Sequence, residues 1–160
     1  MKKLMIAAVA ISALAATPAF AANTVAVYGV TGSVTAICSA AASGTIALGN
    51  LTDASGTLNV AGGTASDTGA YCNGAGTKVQ VAHTAFSTAG AAAAGFTNSL
   101  TFTPVVVAGA TTLTGDQAAN TALGAFSGLS VSVSALSAGG AKPVAGSYTG
   151  SITVTLTPGA

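Results

Sequence analysis

Leu129–Ala135, LSVSVSA, alternates one apolar residue with one serine and does not break step. A β-strand turns successive side chains to opposite faces. Period two therefore sets Leu129, Val131, Val133 and Ala135 facing inward, with Ser130, Ser132 and Ser134 facing out. A helix would scatter the same residues around all its sides. The closing stretch, Ser147–Thr157, repeats the pattern: Tyr148, Gly150, Ile152, Val154 and Leu156 share one side, and Ser and Thr take the other. An apolar face backed by a hydroxyl face suits an antiparallel sheet with one solvated side.

Shorter stretches read the same way. Gly44–Leu51 predicts a short strand with Ile46 and Leu48 on one side, and Thr57–Val60 and Thr68–Cys72 predict two more. Lys78–His83 alternates, with Val79, Val81 and His83 on one face. Leu100–Thr103 alternates until Pro104, which should stop it; the β-branched run Val105–Val107 follows. Asp53–Gly56, Asn73-Gly74 and Gly139-Gly140 are turn signals. Residues 87–95, STAGAAAAG, are too short and too glycine-flanked for a stable helix and read as loop. About seven short strands separated by turns predict an all-β, antiparallel, immunoglobulin-like sandwich.

The start of the chain has a different character. Lys2 and Lys3 precede the apolar run Leu4–Ala16, Thr17-Pro18 breaks it, and Ala19-Phe20-Ala21 is a small-x-small cleavage site. That order reads as a signal peptide over residues 1–21, and the run is short of the roughly 20 residues that span a bilayer. Residues 22–160 suit one domain of roughly 100–150 residues. No later segment predicts a membrane span, so the chain is expected to be exported. The stretch Asn23–Cys38, NTVAVYGVTGSVTAIC, is strand-like but longer than one strand needs. Val25 and Val27 alternate with Thr24 and Ala26; past Gly29 the phase shifts, and Val30, Val34 and Ala36 lead to Cys38. Its front part reads as a segment that pairs with another molecule. Its back part reads as the first strand of the chain's own fold.

Beyond residue 21 the charges are Lys78 and Lys142 against Asp53, Asp67 and Asp116. No basic groove for nucleic acid can be built from these. So little charge gives weak repulsion between copies, which favours assembly. The two cysteines, Cys38 and Cys72, predict a disulfide in an exported chain; free thiols or a metal site are the alternatives. His83 is the single histidine. A catalytic triad would need it between a serine and an orienting carboxylate, yet each aspartate sits among turn residues, where capping is the expected role. Gly74–Lys78 lacks the spacing of a phosphate loop. No cofactor or metal is expected, and no enzyme motif is found. The scattered aromatics read as core rather than a stacking platform.

Three features together resemble the spore coat protein U domain family, which includes major subunits of archaic (Csu-type) chaperone–usher pili. A hydrophobic N-terminal segment runs into the first cysteine (VTGSVTAICSAAAS). The second cysteine ends a strand and is followed by a turn and a strand (AYCNGAGTKVQVAH). The chain closes on a G-x-Y strand (AGSYTGSITVTLTP). Two departures stand out: Leu48-Gly49 where the family usually has Phe-Gly, and Gly150 where an acidic residue is common.

The resemblance implies a sandwich that lacks its last strand and is completed by a donor strand from another subunit. Residues 22–37 would carry the donor segment and residues 38–160 the pilin-like domain. Val25, Val27, Gly29, Val30 and Val34 would be donor positions, and Ile152, Val154 and Leu156 would line the groove from the last strand. The implied partners are other copies or related pilins, a periplasmic chaperone and an outer-membrane usher. The implied location is the cell surface, as a fimbrium. The competing expectation is a self-contained secreted sandwich with a coat, matrix or carbohydrate-binding role.

Overall fold

The computed structural model describes residues 28–41, 43–60 and 62–159. The chain divides into two compact units, residues 1–33 and 34–160. In the first, residues 28–33 have no regular secondary structure, and Tyr28 and Val30 are exposed.

The second unit is all-β, with no helix among the described residues. Its strands are β1 (Cys38–Ser39), β2 (Gly63–Cys72), β3 (Lys78–Ser87), β4 (Phe96–Thr97), β5 (Ser99–Ala108), β6 (Thr111–Thr114), β7 (Gln117–Ala122), β8 (Phe126–Ser137), β9 (Lys142–Pro143) and β10 (Thr149–Thr157). Antiparallel pairing runs β1-β2-β8-β5-β3-β10, with β6 on β5 and β7 on β3. Strand β5 joins the two halves. Ser99 and Leu100 pair with Ser87 and Phe86 of β3, and from Thr101 onward β5 pairs with β8. Strands β4 and β9 form a small parallel pair apart from this sheet.

The folded sheet buries its apolar faces against each other. Val79 and Val81 of β3 and Val106 of β5 form the buried centre. Leu129 and Val131 of β8 pack on it, as do Ile152, Val154 and Leu156 of β10. Two sheet faces closing on one apolar layer make a sandwich.

Several strand expectations are corrected. Gly44–Leu51 has Ile46 and Leu48 half-buried, but it turns at Gly49, whose φ is 66°, and it belongs to no strand. Thr57–Val60 contributes only an isolated bridge, Thr52 to Leu58. Pro104 does not stop its strand; β5 runs through it. The Pro104 carbonyl accepts from the Gly115 amide on the side away from β8. The missing proline N–H faces that same side, so the β5–β8 ladder loses nothing. Ala135 does not face inward. It is exposed, it has φ 50°, and Leu136 is half-buried instead. The β5–β8 register shifts there, between Thr101 and Thr103, and the bulge reverses the phase. The tight turn after Cys72 is Gly74–Thr77, closed by the Thr77 amide on the Gly74 carbonyl, rather than Asn73-Gly74 itself.

Tyr148 precedes β10 and holds the approach to it. Its hydroxyl bonds the carbonyls of Thr97 and Val144, each at 3.0 Å, and its ring lies 5.6 Å from that of Phe86. Tyr148→Phe leaves both carbonyls without this partner. It is expected to lower stability by about 1–2 kcal/mol, read as a lower urea midpoint with an unchanged slope.

Candidate functional site

Among the described residues, β2 and β10 each keep an open edge. Strand β1 covers β2 only at Tyr71 and Cys72. From Gly63 to Asp67, β2 pairs with β8 on one side, and from Gly63 to Ala70 it has no ladder partner on the other among the described residues. Strand β10 pairs with β3, and its second edge is likewise without a ladder. An edge strand presents a row of free N–H and C=O groups and is a template for a further strand.

Between these edges lies a cavity of about 610 Å³. Its mouth is formed by Ala65–Asp67 of β2 and Thr149–Ile152 of β10. Its floor is apolar: Phe86, Phe102, Leu129, Val131 and Val133. Gly150 marks the pinch in β10. A side chain there would lie 3.1 Å from the Ala85 carbonyl, and the β3–β10 register shifts at the same place.

One wall is the extended segment Ser43–Leu48, whose Ile46 and Leu48 side chains flank Gly63; a Cβ on Gly63 would lie 2.8 Å from Leu48 and 2.9 Å from Ile46. The segment is tethered upstream. Cys38 is bonded to Cys72 across the β1–β2 pair, closing a separation of 34 residues. Asn73 clasps the residues before it. Its Oδ1 accepts from the Ile37 amide at 2.7 Å, its amide donates to the Ile37 carbonyl, and its Nδ2 donates to the Thr35 carbonyl at 3.0 Å. Asp67 Oδ2 accepts from the Ala41 amide at 2.6 Å.

The expected site residues fall in three places. Val25 and Val27 lie outside the described residues. Gly29, Val30 and Val34 are exposed and in no strand, Val30 at 95% and Val34 at 87%. Ile152 lines the cavity, whereas Val154 and Leu156 sit deeper, against the buried valines. The floor residues of β3, β5 and β8 and the Ser43–Leu48 wall were not singled out from sequence. Gly63 and Gly150 were the available signals, since glycine inside a strand marks close approach of another group.

His83 sits on β3 with its ring 4.8 Å from that of Phe102, and its Nδ1 is 2.6 Å from Asp116 Oδ1. Asp116 thus pairs with the histidine rather than capping a turn. No serine or threonine hydroxyl bonds the ring among the described residues. Asp53 does cap: it takes the Ser55 hydroxyl at 2.6 Å and the Ser55 and Thr57 amides at 2.9 Å each. These bonds, the Ser55 hydroxyl first, hold its carboxyl below the usual value. No group of residues that could hold a metal ion occurs among the described residues, and no described helix is long and apolar enough to cross a membrane.

The fold and this site define an antiparallel β-sandwich with an apolar groove between two unpaired edges. Comparison with family models, with curated proteins and with solved structures finds no match.

Proposed function

We propose that this chain is a structural subunit of a surface pilus or fimbria, built by strand exchange between copies. Residues 1–21 serve as an export signal, and the protein passes through the periplasm to the cell surface. A periplasmic chaperone shields the groove, and an outer-membrane usher replaces it with the N-terminal segment of the next subunit. The open apolar groove between β2 and β10 carries this reading. A strand laid there gains backbone hydrogen bonds along an edge and places alternate side chains on the floor, which is the physics of strand addition. The exposed Tyr28, Val30 and Val34 suit that reading, because their apolar surface is unspent in the free chain. Near-neutral charge suits close stacking of copies.

The test is size-exclusion chromatography of the exported chain with and without Ala22–Val30. The full form is expected to give ladders or fibres. The truncated form is expected to be unstable alone, to be rescued by a peptide of residues 22–37, and never to extend. Fibres from the truncated form would sink the proposal. Two equally stable monomers would point instead to a self-contained secreted sandwich.

A further inference from the structure

Ser43–Leu48 has the course of a strand without the bonds of one. Gly44 lies beside Ala65, with 3.7 Å between a Cβ built on Gly44 and the Ala65 Cβ. Ile46 and Leu48 lie beside Gly63. That order is antiparallel to β2, and it continues to within a residue the Cys38–Cys72 and Ser39–Tyr71 pairing of β1. Ile46 and Leu48 are half-buried while Thr45 and Ala47 are exposed, so the side chains already alternate at a strand's period. Yet no backbone hydrogen bond joins the segment to β2.

Two features account for the missing ladder. The Asp67 carboxylate takes the Ala41 amide at the point where pairing would propagate from β1, and the β2–β8 register shifts between Asp67 and Tyr71. The segment is also poorly supported on its flanks. Ile46 and Leu48 line both the groove and a second cavity of about 780 Å³. Pairing with β2 would fix the backbone of each residue at a cost in conformational entropy, and the segment's outer edge would then face the groove unpaired.

We propose that Ser43–Leu48 is a strap that becomes a strand when the groove is filled. An incoming strand bonds the strap's outer edge on one side and β10 on the other. Those bonds supply the partner that the strap's backbone lacks, so the strap closes onto β2 in the register of β1. Filling the groove therefore adds three ladders: incoming strand to strap, incoming strand to β10, and strap to β2. The inference rests on the groove receiving a strand, as proposed above, and adds that its wall is completed by the same event.

Hydrogen exchange on the full exported chain tests it, on freshly diluted monomer before ladders form, with and without an excess of the synthetic peptide Ala22–Ile37 as probe. Amides of Thr45–Leu48 are expected to exchange freely without peptide and to slow by at least about tenfold once it binds. A second measurement locks the strap. The Gly44–Ala65 approach matches the mean Cβ separation of a disulfide, about 3.8 Å, so G44C/A65C can be oxidised with the strap against β2. The locked protein is expected to take up peptide several-fold faster than G44C alone, because part of the ordering is already done. Peptide bound with Thr45–Leu48 still exchanging freely would overturn the strap proposal and leave the groove reading standing. Uptake blocked or unchanged by the lock would do the same, the blocked case meaning that the strap must leave. A wild-type chain that takes up no peptide and remains a stable monomer would overturn both.

Discussion

Cys38→Ala combined with Cys72→Ala is expected to lower stability by about 3–4 kcal/mol, the loop-closure contribution for a crosslink of this span. The two cysteines are 34 residues apart, and the strand they secure, β1, is only two residues long. Without the bond, β1 is held by two pairs of ladder residues and by the Asn73 clasp on residues 35–37. Those hydrogen bonds contribute about 1 kcal/mol each, too little to fix a free chain end by themselves. Domains of this size are stable by only about 5–15 kcal/mol in total. A sandwich with an unfilled groove starts with less apolar burial than a closed one. The double variant is therefore expected to show a urea midpoint well below that of the parent, and reduced parent protein should unfold at the same midpoint as the variant. The loss should also pass to the strap, because Ser43–Leu48 takes its direction from Cys38. Donor-peptide uptake by the variant is expected to be weaker even under conditions where the rest of the fold survives. A midpoint unchanged by reduction would mean that β1 contributes nothing to the native state.

Much of the architecture was legible because hydroxyl–apolar alternation is a direct print of the strand period. The stretches LSVSVSA and SITVTLT fell into β8 and β10, and the cysteine pair formed the expected crosslink. The misreadings share one cause, which is that ladder partners decide what local pattern cannot. Pro104 is an acceptable strand residue only because its missing donor faces away from β8. Ala135 leaves the apolar face because β8 carries a bulge opposite Thr101–Thr103. Gly44–Leu51 has strand alternation but no partner to bond with.

The site was legible only at its last strand. Ile152 reaches the groove from a stretch whose alternation was plain. The floor is assembled from β3, β5 and β8, whose apolar residues carry no mark distinguishing groove from core. Phe102 and Val133 face an opening, while Val79 and Val81 face the closed interior. The difference arises from where the sheets part, and that is a property of topology. The His83–Asp116 pair was hidden for the same reason, since 33 positions separate the two residues.

Leu100→Ala is the second large expected effect, a loss of about 3–4 kcal/mol, within the range for truncating a fully buried leucine. Leu100 is 0% exposed and pairs with Phe86 at the place where β5 passes from β3 to β8. The backbone there is committed to two partners in succession, so neighbouring residues can relax little into the void, and the cavity term should be felt almost in full. The proposed donor segment should respond in the opposite way. Val30 is 95% exposed in the free chain, so Val30→Ala is expected to leave the urea midpoint within about 0.5 kcal/mol of the parent. Under strand exchange the same substitution removes apolar surface that would be buried only between copies, so ladders from V30A should dissociate at lower denaturant than those of the parent. The two variants thus separate the stability of the subunit from the stability of its assembly. If V30A ladders persisted as the parent's do, Val30 would lie outside the groove, and the donor register would have to be sought at other positions of the segment.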